Sequence, residues 1–500
     1  MKKVIFLIVI GLWIVSCGKS EENKNEIKDT LVYAQLSESK SLDPHAVTDQ
    51  YSQRVIANIY DRLVEVDENM KVVPSLAESW KNIDPLTTVF HLKKGVHFRS
   101  GKKVTAEDVK FSLERAMKSP KLGSLYSLFD KVDVIDKNTV SITTKKPFGP
   151  LLYHLSHKSA SILNSEFAKT HNLNQEADGT GGYFVDSWNI GDYILLKRNT
   201  NYFKGEPSIK YIKIRSIPEE NSKVIGLETG EIDIAADLES MSRNTVLENP
   251  NLTLAETSSY SVQFLGMNVE KPFLKDIKIR KAIAMAIDKK TIIDTILMGA
   301  VKDANSFLAP GVFGYSKDVN TYQYNPEEAK KLIAQSGYKD IELTVLTSNN
   351  TTRAQICEVI QAQLKEVGIT LNIEVVEWGA FLSDTSTGKA ELYMLGWSPS
   401  TGDADYGLVP NTHSSNKGSG GNRSFYENKK LDKILDVAKE ELDSDTRLAL
   451  YKEAQKIINT DAAFFPIYYQ LSNAGLSKNV VGYVQTSANY PYFYKLSFKK

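Results

Sequence analysis

Between Tyr324 and Leu395 the chain alternates its elements with a regularity that few folds accommodate. Asn325 is placed to cap a helix and Pro326 to start it, with Gly337 closing it. Residues 341–346 then read as a strand. Thr351 or Thr352 opens a second helix that carries Ile356, Val359, Ile360, Leu364 and Val367 inward, and Gly368 ends it. Residues 369–376 are a strand, a helix follows near residues 378–387, and residues 392–395 are a further strand. Strand, helix, strand, helix, strand requires crossovers between parallel neighbours, so this stretch predicts an α/β lobe.

The N-terminus sets where such a lobe works. Lys2 and Lys3 precede an apolar run at residues 4–15, interrupted by Gly11, which is shorter than the roughly 20 residues a membrane-spanning helix needs. Residues 1–16 therefore read as an export signal. Ser16 directly before Cys17 resembles the lipobox of bacterial lipoproteins, in which the signal is cut before the cysteine and lipids are attached to it; a plain secretory signal is the alternative. Residues 17–29, rich in Lys, Glu and Asn, cannot bury a core and read as a stalk. No second long apolar segment follows. With Cys17 lipidated, Cys357 is the other of two cysteines, which excludes an intramolecular disulfide and reads as a small packed residue. A 42% apolar, 24% charged composition supplies the burial that a disulfide-free chain needs. Acidic and basic side chains number 61 each, and loss of the signal removes two lysines, so nothing attracts nucleic acid.

The first third mixes its elements less regularly. Residues 88–92 alternate as a strand, Ser100-Gly101-Lys102 is a turn, and Thr105 stands three residues before Asp108 as a capping pair for a helix. Leu76 and Trp80, four apart, are expected on one helical face. There is no disposable linker between lobes, which points to shared strands. Residues 257–263 and 468–472 are the candidates for two hinge crossings.

No catalytic template is present: no GxSxG elbow, HExxH, GxxxxGK or complete GxGxxG. His154 and His157 form an HxxH pair with no third ligand nearby, and Asp403 with Asp405 lacks a third partner for acid–base work. Binding without catalysis, metal or cofactor is the reading.

Six blocks then carry a resemblance: Ser41-Leu42-Asp43-Pro44-His45; Pro74-Ser75-Leu76-Ala77-Glu78-Ser79-Trp80; Phe98-Arg99-Ser100-Gly101 with Val104 to Val109; Gly179-Thr180-Gly181-Gly182-Tyr183; Ile279 to Asp288; and Val376-Glu377-Trp378-Gly379. Together they resemble the peptide/nickel family of extracytoplasmic solute-binding proteins, which deliver ligands to ABC importers. The resemblance implies an α/β periplasmic-binding-protein fold of the cluster C type, two-lobed, with an extra α/β domain inserted in the N-terminal half and two hinge strands. By it, lobe I combines residues 30–51, 179–257 and 475–500, the extra domain is 52–178, and lobe II is 260–471. It also implies a monomer outside the cytoplasm, held to the membrane by lipid on Cys17 and partnered by a permease.

The loop Gly396-Trp397-Ser398-Pro399-Ser400-Thr401-Gly402-Asp403-Ala404-Asp405-Tyr406 follows a strand end, where open α/β sheets hold ligands. Trp397 is expected as an apolar wall, and Asp403 or Asp405, two apart in an extended stretch, as acceptors for a ligand ammonium. The alternative is that the loop caps its own backbone with Asx turns. Dipeptide-binding relatives place an Asp three residues after this Trp, where this chain has Ser400, and an Arg ahead of the preceding helix, where it has Thr347 or Ser348 with Arg353 a few residues later. The 400–406 segment is instead similar to the glutathione-binding branch, so Ser400, Thr401, Asn349, Arg353 and Arg423 complete the expected site for glutathione or a short peptide. A nickel-chelate or haem receptor of the same family is the alternative, with His413 the histidine nearest the loop; an extracytoplasmic peptidase is a more distant one.

Overall fold

The computed structural model describes residues 28–67, 70–418 and 421–499, so the signal, Cys17 and nearly all of the stalk lie outside the described residues. One mixed sheet of eleven strands runs through both lobes. Its order is Ile369–Val376, Ile341–Ser348, Leu392–Trp397, Leu252–Met267, Phe464–Ser477, Ile234–Ala236, Thr30–Gln35, Tyr211–Ser216, Tyr193–Arg198 and Tyr183–Asn189, with Val301–Asp303 paired to the side of Phe464–Ser477.

At the lobe II end the expected alternation is present: Ile341–Ser348 is parallel to both Ile369–Val376 and Leu392–Trp397, with helices Thr351–Glu366 and Trp378–Ser386 as crossovers. Helix Pro326–Ser336 starts where its signals place it, with the Asn325 side chain accepting the Glu328 amide N–H and Gly337 at φ 76° closing it. Ile356, Cys357, Ile360 and Leu364 turn inward onto the sheet with Ile341, Leu343 and Val345. Cys357 is a free, buried thiol whose pKa burial pushes up to about 12, so it packs as an apolar group.

The crossing strands are unusually long, 16 and 14 residues, against a typical five or six. Leu252 to Ser258 pair with Ser477 to Leu471 in the lobe I half, and Val262 to Gly266 pair with Tyr469 to Phe464 in the lobe II half. Between Ser258 and Val262 the register shifts. Such a bulge bends the strand and re-aims its side chains, and here it falls at the junction of the lobes.

The inserted unit is an antiparallel sheet of Ala77–Asn82, Thr87–Leu92, Thr139–Thr144 and Phe129–Asp136, packed on helix Ala106–Met117. The capping pair forms: the Asp108 carboxylate accepts both the Thr105 amide (3.1 Å) and hydroxyl (2.9 Å). Leu76 and Trp80 are not on a helix. Trp80 lies in strand Ala77–Asn82 and its ring centroid is 6.4 Å from that of Phe90. A spacing of four is even, so it also places two residues on one face of a strand, and period alone did not separate the two. The insert's apolar cluster runs from Leu63 to Ile162. Val55, Ile56 and Ile59 of helix Gln50–Ile59, and Leu163 and Leu173 on the far side, pack instead with Leu31, Tyr183 and Leu196 of lobe I. The expected boundary at 52 therefore falls inside helix Gln50–Ile59, which buries its face on the large sheet, and the one at 178 leaves Leu163 and Leu173 on the insert's side although they pack with lobe I.

Candidate functional site

The bulge in the crossing strand opens onto a cleft of about 700 Å³ between the lobes. Ser259, Tyr260 and Ser261 enter it from the bulge itself, Tyr468 and Gln470 from the partner strand, and Asp237 and Gln53 from lobe I. Lobe II presents the start of helix Thr351–Glu366, with Asn350, Thr352 and Arg353 on the cleft wall. Asn350 caps that helix by accepting the Arg353 amide N–H (2.9 Å).

Arg353 is the cation of this wall. Its Nε and Nη2 donate to the Gln263 side-chain oxygen (3.3 and 3.1 Å), a neutral acceptor. Burial lowers its pKa, against the raising influence of Tyr468. The guanidinium and the helix N-terminus thus point positive charge at the same space with no carboxylate on Arg353 among the described residues, an arrangement suited to an anion. Gly396 makes it possible. A Cβ there would stand 2.1 Å from Gln263 Nε2, so any side chain at 396 would displace the group that orients Arg353. On the facing lobe, the Asp237 carboxylate is held by Arg54 (2.7 and 2.8 Å) and Asn489 (2.8 Å), which leaves exposed Glu239 as the available acid of that rim.

Of the residues expected from sequence, Arg353 and Ser400 line the cleft, and Thr401 lines a smaller pocket that adjoins it. Asp403 does not reach it. Its side chain is fully buried, accepts the Asp405 amide N–H (2.8 Å) as the cap of helix Ala404–Thr412, and takes Arg447 Nη2 on both oxygens at 2.8 Å. The segment is helical from Ala404, so the two acids do not share one side of an extended stretch. Trp397 is half-buried with its Nε1–H on the Tyr406 carbonyl (3.0 Å), outside the cleft lining. Asn349 is exposed and its neighbour Asn350 takes the lining position. Arg423 is spent on the end of helix Trp378–Ser386, donating to the Leu382 carbonyl and Thr385 hydroxyl. His413 faces Asp432 and Asp436, away from the cleft lining, and no group of three His, Cys, Asp or Glu able to hold a metal occurs among the described residues.

Asp405 is buried with one carboxylate oxygen lacking a hydrogen-bond partner. Burial pushes its carboxyl up to about 6, opposed by Lys439 and reinforced by Asp403. A folded carboxyl that keeps its proton to higher pH than the unfolded one makes the native state lose stability as pH climbs from about 4 to about 6. Asp405→Asn is expected to flatten that decline and to exceed the parent above pH 6 by on the order of 1–3 kcal/mol. Urea unfolding across a pH series reads it, and an unchanged slope would assign the titration to another group.

Gln263, Tyr260 and Gln470 lie in or beside the segments expected to cross between lobes, but their cleft role was not legible there. Asp237 and Tyr490 carried no local signal beyond the cluster Tyr490-Pro491-Tyr492-Phe493-Tyr494 near the C-terminus.

A family model for the middle part of bacterial extracellular solute-binding proteins, family 5, matches residues 71–419. The heme-binding protein A of Haemophilus influenzae is 29% identical over 99% of this chain and 99% of its own length. The glutathione-binding protein GsiB of Salmonella choleraesuis is 30% identical over 91% of this chain and 92% of its own. The solved structure of HbpA2 from Haemophilus parasuis superposes with a TM-score of 0.89 at 26% identity, covering 94% of this chain and all of that one.

Proposed function

Since the chain belongs to family 5 of the bacterial extracellular solute-binding proteins, the substrate-binding components of ABC importers, we propose that its cleft captures glutathione or a short peptide by a carboxylate and delivers it to a membrane permease. The observation that carries this reading is Arg353, a cation on the cleft wall bonded to the neutral Gln263 beside a helix N-terminus. Charge-assisted bonds to a carboxylate are stronger than the amide contact it makes now. Tyr260, Tyr468 and Tyr490 supply flat walls for a peptide backbone, and Glu239 on the opposite rim accepts an ammonium.

Closure follows from the same geometry. Two crossing strands with a bulge at the junction restrict the lobes to a hinge motion, and a ligand touching both walls favours the closed arrangement. Calorimetry with glutathione, di- to pentapeptides, heme and a nickel–histidine chelate tests the ligand class. Stoichiometric binding of unaltered glutathione or peptide, with a smaller radius of gyration in solution scattering, is expected. Binding of heme or nickel chelate alone would replace the reading.

The proposal extends to the anchor. Cys17 follows the signal and precedes a polar stalk, so it is the site of lipid attachment. Cys17→Ser is expected to abolish fatty-acid labelling and to move the protein from the membrane fraction to the soluble one. Labelling that persists in the variant would refute this.

A further inference from the structure

The cleft continues past Ser400. Tyr260, Ser400, Ser487, Ala488 and Tyr490 also line a second pocket of about 60 Å³ that reaches the inserted unit at His157 and Lys158. Such a volume holds one small group, not a whole solute. Lys158 is 5% exposed, and its ammonium lies 4.2 Å from the centre of the Tyr490 ring. Glu65, the acid whose field reaches it, is already engaged by Arg62 (3.0 Å) and Lys204 (2.6 Å). The other charged groups on the pocket are Lys495 and Asp67, and Asp67 accepts the Lys71 amide N–H (2.9 Å).

His157 lines the same pocket as a neutral ring. Its Nδ1 accepts the Ser159 amide N–H (3.2 Å), and burial, helped by Lys158, lowers its pKa to about 3. The neutral ring then carries its proton on Nε2, which is buried and has no acceptor among the described residues. A buried ammonium on a pocket of this size is a group that a carboxylate satisfies. Burial and the neighbouring Arg62 also press Lys158 toward its neutral form, and an anion beside it reverses that pressure.

We propose that this pocket is a second anionic subsite, in which Lys158 receives a second carboxylate of the solute whose first carboxylate pairs with Arg353. The solute class is therefore a peptide-like dicarboxylate. The inference rests on the reading of the cleft given above, and glutathione, with a carboxylate at each end, meets it where a neutral dipeptide does not.

Calorimetry on the wild-type chain, Lys158→Met and Arg353→Gln tests it with three probes: glutathione, its glycyl ethyl ester, and Cys-Gly, which lacks the γ-glutamyl carboxylate. Lys158→Met is expected to weaken glutathione and the ester by roughly thirtyfold or more while leaving Cys-Gly near its wild-type affinity. Its melting temperature should match or exceed the parent's, because the substitution relieves the crowding with Arg62. Wild-type affinity of Lys158→Met for glutathione, with Arg353→Gln impaired, overturns the subsite and keeps the cleft reading. Equal losses for all three probes, or a lowered melting temperature, overturn it by assigning Lys158 to the scaffold. Failure of the wild-type chain to bind any probe overturns both.

Discussion

Arg447→Met is expected to cost about 3–5 kcal/mol of stability, because it strands the buried Asp403 carboxylate without its countercharge. Asp403 is 0% and Arg447 2% exposed in their side chains, and the two are joined at 2.8 Å on each carboxylate oxygen. Around them the Tyr451 hydroxyl takes Arg447 Nη2 (3.1 Å), the Ala438 carbonyl takes Nε (3.2 Å), and the Phe313 ring lies 4.9 Å under the guanidinium. Urea unfolding measures the loss. Pairing the change with Asp403→Ala should recover part of it, since removing both charges leaves none uncompensated. A single-variant loss below about 1 kcal/mol, the scale of an exposed pair, would mean that water reaches the site. Glutathione affinity of the Asp403→Ala variant should fall only as far as the adjoining Ser400 loop loses its shape.

Arg353→Gln is expected to weaken glutathione or peptide by about 2–5 kcal/mol, roughly thirtyfold or more, while leaving the unliganded melting temperature near the parent's. The asymmetry follows from its contacts. Among the described residues Arg353 bonds only the Gln263 side chain besides its own helix cap, so the fold loses a single neutral contact when the guanidinium goes. A ligand carboxylate loses its countercharge in a partly dry cleft. Binding should also weaken with added salt in the wild type and less so in the variant. Unchanged affinity, measured by calorimetry, would remove Arg353 from the recognition surface.

The lobe II core was legible because every relevant signal there is local. Asn325, Pro326 and Gly337 act within one helix, and Ile356, Cys357, Ile360 and Leu364 declare a buried face by spacing alone. Arg353 was nominated from the resemblance, as the Arg a few residues after the position where dipeptide-binding relatives carry theirs, and it lies in the first turn of helix Thr351–Glu366. Asp403 shows the opposite case. Its loop composition, rich in Ser, Gly and Asp, reads the same whether the acid meets a ligand or Arg447, and the partner lies 44 residues away.

The sequence alone determined the α/β alternation, the two crossing segments, the absence of the catalytic templates sought and the family, since caps, periods and motifs are each written within a few residues. Tertiary structure alone decided which charges are free. Asp237 is consumed by Arg54, Asp403 by Arg447 and Arg423 by Leu382 and Thr385, whereas among the described residues the Arg353 side chain bonds only Gln263 and the Lys158 ammonium meets only a tyrosine ring. Whether a charge reads a ligand depends on what already neutralises it, and those partners are set by chain crossings tens to hundreds of residues apart, which no local pattern records.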